Sequence, residues 1–415
     1  MSNKCDGIPM DSMIFAAARA LAAGDPLGAL NRVALRDDAS ALALRGIAMA
    51  QLGDLERARA LLRRAGRAFG PREAVARARC AVAEAEIALV TRDLGWPVKA
   101  LQTAHATLAR DGDFLNAAHA RHLMARRLLL TGRVDDAERV IADLDVSVFP
   151  AASRAAFELV VAGIAVRRLR TRVARDALAR AAVAAKAAGI PSLEAEVERA
   201  SVVLDTPAAR LIARGGERPL VLEEVEAVLA SEALIVDACR NAVRHRGAPI
   251  SLATRPVLFA LARALGEAWP HDVARDVLLA RAFGAKHVDD SHRARLRVEI
   301  GRLRAALRRV ADVRATKRGF ALVARGATEV LVLARPVDEA HASVLALLDD
   351  GEAWSTSALA LALGASQRTL QRALEELARE GKVQPFGRGR ARRWIMPPVS
   401  GFTTALLLPA ALPIG

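Results

Sequence analysis

The sequence predicts a mainly α-helical chain in which a long helical array precedes two small modules of helices and short strands. Three observations carry that prediction. Alanine and leucine recur at helical spacing from Ser12 to about Ala230, interrupted by turn signals such as Gly24-Asp25-Pro26, Gly53-Asp54 and Gly132-Arg133. After Glu232 the pattern shifts to short strand-like runs and basic turns between helices. The cations shift with it: 28 of the 61 Lys and Arg residues, against 18 of the 46 Asp and Glu, lie from Ser231 onward.

Within the array the spacing is that of a repeat. In ALALRGIAMAQLGDLERARALLRRA, Gly46 stands seven residues before Gly53, Ala58 follows, and Leu62 and Ala65 come after it. The same template fits Ala17, Gly24 and Ala29; Ala88, Gly95 and Ala100; Ala125, Gly132 and Ala137; and, more weakly, Ala165, Ala177 and Ala184. This resembles the tetratricopeptide repeat, in which small residues let paired helices approach closely and larger ones fill the gaps. The tyrosines and most bulky signature residues of that family are missing, and an irregular helical bundle is the alternative. Such arrays bind a peptide, another protein or a second copy of themselves along one face. His119 and His122 share a helical face, but with no third ligand nearby they read as packing histidines rather than a metal site.

Composition narrows the function classes. A formal charge of +15 and 53% hydrophobic residues describe a chain with sizeable cores whose favoured partner is a polyanion. Cys5, Cys80 and Cys239 lie far apart with no CxxC pair, which points to a reducing cytoplasm and to no metal framework. The N-terminus has no basic stretch followed by an apolar core, so no signal peptide is expected. The apolar end GFTTALLLPAALPIG is short and broken by Pro409 and Pro413, so it reads as a docking segment or a disordered end, not a membrane span.

The first module begins with a strand-like run in ALIVDACRNAVRHRG, a basic turn at Arg244, His245, Arg246 and Gly247, and a short strand at Pro249 to Leu252. A helix starts near Thr254 and a second is expected in HDVARDVLLARAFG. In DDSHRARLRVEIGRLRAALRRV, Leu296, Ile300, Leu303 and Leu307 form one apolar stripe. The opposite face centres on Ala294, Val298, Gly301 and Arg302, flanked by Arg295, Arg297 and Arg304. ADVRATKRGFALVARG then reads as a hairpin carrying Arg314, Thr316, Lys317, Arg318 and the turn residue Gly319.

In this order the segment resembles the effector domain of OmpR/PhoB-type bacterial response regulators. Its motifs are Leu252-Ala253-Thr254-Arg255 at a helix start, Ile300 to Leu307 as the recognition-helix pattern, and Arg318-Gly319-Phe320 in the wing. The resemblance implies a winged helix-turn-helix in which Arg302 meets base edges, Arg295 and Arg304 meet phosphates, and Thr316 to Arg318 meet the neighbouring minor groove. Lys317 replaces the usual first wing glycine and Glu299 the common recognition-helix histidine, so base specificity does not carry over. The acidic loop at Asp289 and Asp290 occupies the position that can touch RNA polymerase in that family. Helical repeats stand where a phosphorylatable receiver would, which argues against control by phosphotransfer.

A second module follows. Ser355 and Ser357 cap a helix, Gly364 turns the chain, and a helix from Ser366 to Glu380 faces Leu370, Leu374 and Leu377 inward, with Arg368 and Arg372 opposite and Gln371 beside them. Gly381 stops it, and strands near Val383 and Trp394 are joined by Gly387-Arg388-Gly389-Arg390. The run Ser366 to Gly381 is similar to the winged helix of bacterial regulators with the pattern S-x-R-T-V-x-R-x-L-x-x-L-x-x-x-G.

The expected architecture is therefore mainly α: a flexible start (1–11), a tetratricopeptide-like α-solenoid (12–230), two winged-helix domains (231–335 and 336–398) and an apolar tail (399–415). The expected function is a bacterial transcriptional regulator that binds double-stranded DNA. Its helical repeats sense or bind a protein or peptide, with oligomerisation open, and no membrane or cofactor is involved. The DNA contacts are expected from Arg295, Arg297, Arg302, Arg304, Arg314, Thr316, Lys317, Arg318, Arg368, Gln371, Arg372, Arg388 and Arg390. Duplex DNA carries about one charge per 1.7 Å, so each cation placed on a phosphate releases counterions. The alternative is an interaction scaffold whose winged helices mediate assembly. No GxxxxGK[ST], GxGxxG, HExxH or GxSxG pattern is present, and catalysis is not expected.

Overall fold

The computed structural model describes residues 12–144, 146, 149–247, 249–283, 290–336, 341–348, 353–363, 365–387, 389 and 392–395. The expected flexible start and apolar tail lie outside them, as does Cys5. The chain is mainly helical, with small sheets, and no described helix is long and apolar enough to cross a membrane. It divides into two units. One comprises the described residues of Met1–Arg167, Val173–Ala200 and His341–Gly415, the other Arg168–Arg172 and Ser201–Ala340.

The first unit opens with helices α1 (Ser12–Ala22), α2 (Pro26–Val33), α3 (Ala39–Gln51), α4 (Leu55–Ala68), α5 (Ala74–Val90), α6 (Val98–Arg110), α7 (Phe114–Leu130) and α8 (Val134–Ile141). One turn chemistry recurs along them. After α3, Gly53 N–H bonds the Ala50 carbonyl and Asp54 N–H the Met49 carbonyl, while Asp54 accepts from Arg57 N–H and starts α4. The pair of bonds ties off the orphan carbonyls of one helix and the aspartate caps the next, so two residues end and begin a helix. Gly24 with Asp25 and Gly112 with Asp113 repeat the whole device, and Gly132 with Arg133 repeats its carbonyl half. Each of these glycines has a positive φ, 72° to 86°.

One expected repeat position is displaced. Gly95 does not take the left-handed turn after α5; Arg92 does, at φ 52°, with Asp93 N–H bonding the Ala88 carbonyl. The small-residue logic holds at Gly46, where a Cβ would come within 2.8 Å of the Leu62 side chain and 3.2 Å of the Ala58 carbonyl. Ala17, Ala29, Ala58, Ala125 and Ala137 are buried completely, so α1 to α8 pack through their alanines. Three further helices, α9 (Ala151–Arg167), α10 (Thr171–Ala188) and α11 (Pro191–Asp205), continue the chain, and Ala155, Ala181, Ala185, Leu193 and Val197 share a core.

The same unit contains the C-terminal module: α16 (Ala342–Leu348), α17 (Thr356–Leu363), α18 (Gln367–Arg379), and the antiparallel strands β10 (Gln384–Phe386) and β11 (Arg393–Ile395). Trp354 bridges to Trp394 through backbone bonds in both directions, and both indoles are fully buried. Their cluster is continuous with buried residues of α5, α6 and α7, including Leu89, Leu101 and Leu123. The Arg92 guanidinium stands over the Trp354 ring at 5.6 Å. The left-handed Arg92 thus does a second job, since its turn brings the cation to an indole, a contact of about 1 kcal/mol.

In the second unit, β1 (Ala209–Ala213), β2 (Gly216–Leu220), β3 (Leu234–Asp237), β4 (Ala242–Arg244), β5 (Ile250–Ser251) and β9 (Val330–Ala334) form one sheet in the order β2-β1-β9-β3-β4-β5. Helix α12 (Leu222–Ala230) follows β2. Helices α13 (Pro256–Ala268), α14 (Arg275–Phe283) and α15 (Asp290–Leu307) come next, and β6 (Val273–Ala274), β7 (Ala311–Ala315) and β8 (Gly319–Ala324) make a second sheet in the order β6-β8-β7.

The expectation of helical repeats through Ala230 is corrected here. Residues 209–220 form a hairpin that pairs with β9, so this unit begins upstream of Ser231. The signal is local: Leu211 and Ile212 precede Arg214 and Gly215, both left-handed, which close a tight turn. Sheet period explains the layers. Leu234, Val236, Val330 and Val332 face α13, whereas Ile235, Leu331 and Leu333 face the α12 side with Val225. Strands covered on both faces read as apolar runs, LIV in β3 and VLVLA in β9. Gly266 of α13 lets the helix lie on them, because a Cβ there would stand 3.0 Å from both Val236 and Val332 methyls.

Candidate nucleic-acid interface

Helix α15 buries the expected stripe, Leu296, Ile300, Leu303 and Leu307, each under 3% exposed, against α13, α14 and the β7–β8 hairpin. Its opposite face is exposed and small: Ala294, Val298, Gly301 and Ala305, with open space where a Gly301 side chain would be. Helical geometry sets Arg297 on one side of this ridge and Arg295 and Arg302 on the other, and Arg308 follows in the turn after the helix, so arginine rails flank the ridge. All four are exposed. The Arg295 guanidinium rests over the Phe283 ring at 4.6 Å, and Arg302 donates to Glu299 at 2.7 Å.

Arg304, expected to meet phosphate, also has a partner within the fold. It is half-buried, and its Nε donates to the Val313 carbonyl at 2.6 Å, which ties α15 to strand β7. Beside α15, an open groove of about 430 Å³ is lined by Arg255, Pro256, Val257 and Leu258 of the α13 start and by Glu299 and Arg302.

The hairpin places Arg314, Lys317 and Arg318 on the surface, and none of the three pairs with an acid among the described residues. Thr316, expected to meet DNA, is turned inward. Its hydroxyl donates to Asp272 at 2.6 Å and accepts from Gly319 N–H at 2.9 Å. Arg275 donates to the carbonyls of Thr316 and Lys317 at 3.1 and 3.0 Å, with its guanidinium 5.6 Å from the Phe320 ring centre. Gly319 is required by close approach: a Cβ would fall 1.7 Å from the Val273 carbonyl oxygen, where β6 pairs with β8. Sequence reading found the tip but missed Asp272 and Arg275, whose pairing partners lie more than forty positions away.

Elsewhere in this unit several arginines are neutralised. Arg210 pairs with Glu217, Arg218 with Glu224, Arg246 with Glu232, and Arg263 and Arg281 share Glu267. Arg297, Arg308, Arg314, Lys317 and Arg318 have no such partner among the described residues, so α15, its end and the hairpin together carry a group of uncompensated charges.

In the C-terminal module, Leu370, Ala373, Leu374 and Leu377 of α18 are buried and Ser366 caps the helix through Thr369 N–H. Arg368 and Arg372 are exposed, while Gln371 donates to Glu375 at 2.6 Å and is half-buried. Gly387 and Gly389 take positive φ as a tight ribbon turn requires. Arg388 and Arg390 lie outside the described residues, as does Asp289; Asp290 opens α15.

In the helical array, His119 Nε2 bonds Glu86 at 2.9 Å and its ring stacks on His122 at 6.1 Å. Neither ring nitrogen of His122 has a partner, and burial holds its pKa well below the usual histidine range. A small cavity is lined by Leu115, His119, His122, Phe149 and Ser153. Among the described residues no cluster of three His, Cys, Asp or Glu side chains could hold a metal ion. No family model, no curated protein and no solved structure matches the chain.

Proposed function

We propose that this chain is a DNA-binding transcriptional regulator whose segment α13 to β8 acts as a winged helix-turn-helix, with α15 as the recognition helix and β7–β8 as the wing. The observation that carries the reading is the form of α15: a ridge of Ala294, Val298, Gly301 and Ala305 between two arginine rails. A major groove about 12 Å wide admits a helix with its side chains. Small residues on the leading face let the backbone sink toward the bases, and the rails then stand at the height of the phosphates on either side. Arg302 lies next to the ridge, where a guanidinium can reach guanine O6 and N7.

The six-stranded sheet holds these parts through α13, and the helical array is proposed as a tetratricopeptide-like sensing or partner-binding part. For the C-terminal module a second reading has its own support. Its core is continuous with α5 to α7 and Arg92 covers Trp354, an arrangement that favours assembly within the chain over an independent DNA reader. Arg368 and Arg372 remain exposed on α18 and keep the DNA reading of that module testable.

Crosslinking the protein to the genome in cells and sequencing the bound fragments tests the proposal. A set of discrete sites sharing one sequence motif is the expected result. A flat profile contradicts it and favours a scaffold.

A further inference from the structure

The hairpin tip is held from outside by two residues that have no place in the expected contact set. Asp272 and Arg275 flank β6, so both side chains issue from the segment that enters α14. Asp272 takes the Thr316 hydroxyl, and the same hydroxyl takes Gly319 N–H, so one carboxylate fixes both ends of the four-residue turn. Arg275 spends two guanidinium N–H groups on the consecutive carbonyls of Thr316 and Lys317. Its own backbone N–H bonds the Arg318 carbonyl at 3.4 Å. With Phe320 beneath the guanidinium, each tip residue from Thr316 to Phe320 is gripped by backbone or side chain from this one segment.

Such a grip touches the core only at Phe320 and Val273. Its effect is on direction. Carbonyls of Thr316 and Lys317 are turned toward Arg275, so the side chains of Lys317 and Arg318 are turned out with no acid partner among the described residues. A planar fork suits two adjacent carbonyls, which a lysine ammonium does not match.

We propose that Asp272 and Arg275 are positioning residues that preset the wing tip so that Lys317 and Arg318 meet the DNA backbone together. This inference rests on the DNA-binding reading. Preordering the tip removes the entropy of fixing it at binding, so loss of the grip weakens binding without loss of charge.

The test uses the full chain and a labelled 40-bp duplex of mixed sequence, with affinity measured from 50 to 200 mM NaCl beside thermal unfolding. Arg275→Lys keeps the charge and removes the fork; Thr316→Val removes the hydroxyl with no change of charge or size. Each is expected to lower affinity roughly 3- to 10-fold and to flatten the plot of log affinity against log salt by about one to two units, as Lys317 and Arg318 fall out of register with phosphates. Asp272→Ala discriminates further. Removing an acid beside a DNA surface raises affinity if charge alone matters, whereas loss of the grip lowers it.

Wild-type salt slope and affinity in Arg275→Lys and Thr316→Val, or tighter binding by Asp272→Ala, overturn the inference while leaving the DNA reading in place. Failure of the wild-type chain to bind the duplex at all overturns the DNA reading itself. A variant with lowered melting temperature is compared at a temperature where far-ultraviolet circular dichroism shows it fully folded, so unfolding is not mistaken for loss of the grip.

Discussion

Arg304 donates its Nε proton to the Val313 carbonyl at 2.6 Å, and by this bond helix α15 and strand β7 are locked in one orientation. The carbonyl belongs to a strand whose other face is core, since Val313 is 1% exposed. A charged donor on a carbonyl contributes roughly 1.5 to 3 kcal/mol when shielded, and the half-exposed guanidinium here sets the lower end. Replacing Arg304 by Met is therefore expected to lower stability by about 1 to 2 kcal/mol, read by urea unfolding. It should also weaken binding to DNA more than the neutralisation of exposed Arg308 does. Equal stability of Arg304→Met and the wild type would show that the bond is not maintained in solution.

Gly319 is fixed by space rather than by turn conformation. Its Cβ position overlaps the Val273 carbonyl, so Gly319→Ala must push β6 from β8 and break their pairing. Overpacking of this kind costs about 1 to 3 kcal/mol, and the tip grip is lost with it. Chemical unfolding of Gly319→Ala should show a loss of unfolding free energy of that size. A loss under a few tenths of a kcal/mol would mean the two strands separate freely.

Histidine burial gives a pH prediction for the array. Desolvation lowers the His122 pKa well below 6.5, and Arg126 and His119 act in the same direction. The unfolded chain then binds a proton that the folded chain refuses, so stability falls as pH drops below about 6.5 and is undiminished above it. His105, lowered by burial and by Arg121, acts with the same sign. Melting temperature is expected to fall between pH 7.5 and 5, and His122→Phe should flatten that dependence. An unchanged pH profile in His122→Phe would place the titrating group elsewhere.

Much of this was legible from residue order because it depends on local rules. The Leu296, Ile300, Leu303, Leu307 stripe predicts which face of α15 is buried, and Gly53-Asp54 predicts a helix end and start. What depends on distant pairing was not legible. The hairpin 209–220 sits between helical runs and blends with them in sequence, and its partner β9 lies over a hundred residues later. Repeat spacing points to Gly95 for the turn after α5, whereas Arg92 adopts the left-handed conformation and lies over Trp354, a residue some 260 positions away. Thr316 looks like a surface contact in sequence, and only the position of Asp272 shows its hydroxyl turned inward.

The central claim is that the unpaired cations on α15 and the hairpin bind the phosphates of duplex DNA, and the most direct measurement is the salt dependence of that binding. The full chain is titrated against a labelled 40-bp duplex from 50 to 200 mM NaCl, beside a variant carrying Arg297→Gln, Arg308→Gln, Lys317→Gln and Arg318→Gln. If each of these four side chains neutralises one phosphate, the slope of log affinity against log salt becomes shallower by about 3 to 4 units in the variant, which remains folded by circular dichroism. A wild-type chain that does not retard the duplex at 50 mM NaCl, or a variant with the wild-type slope, contradicts the account.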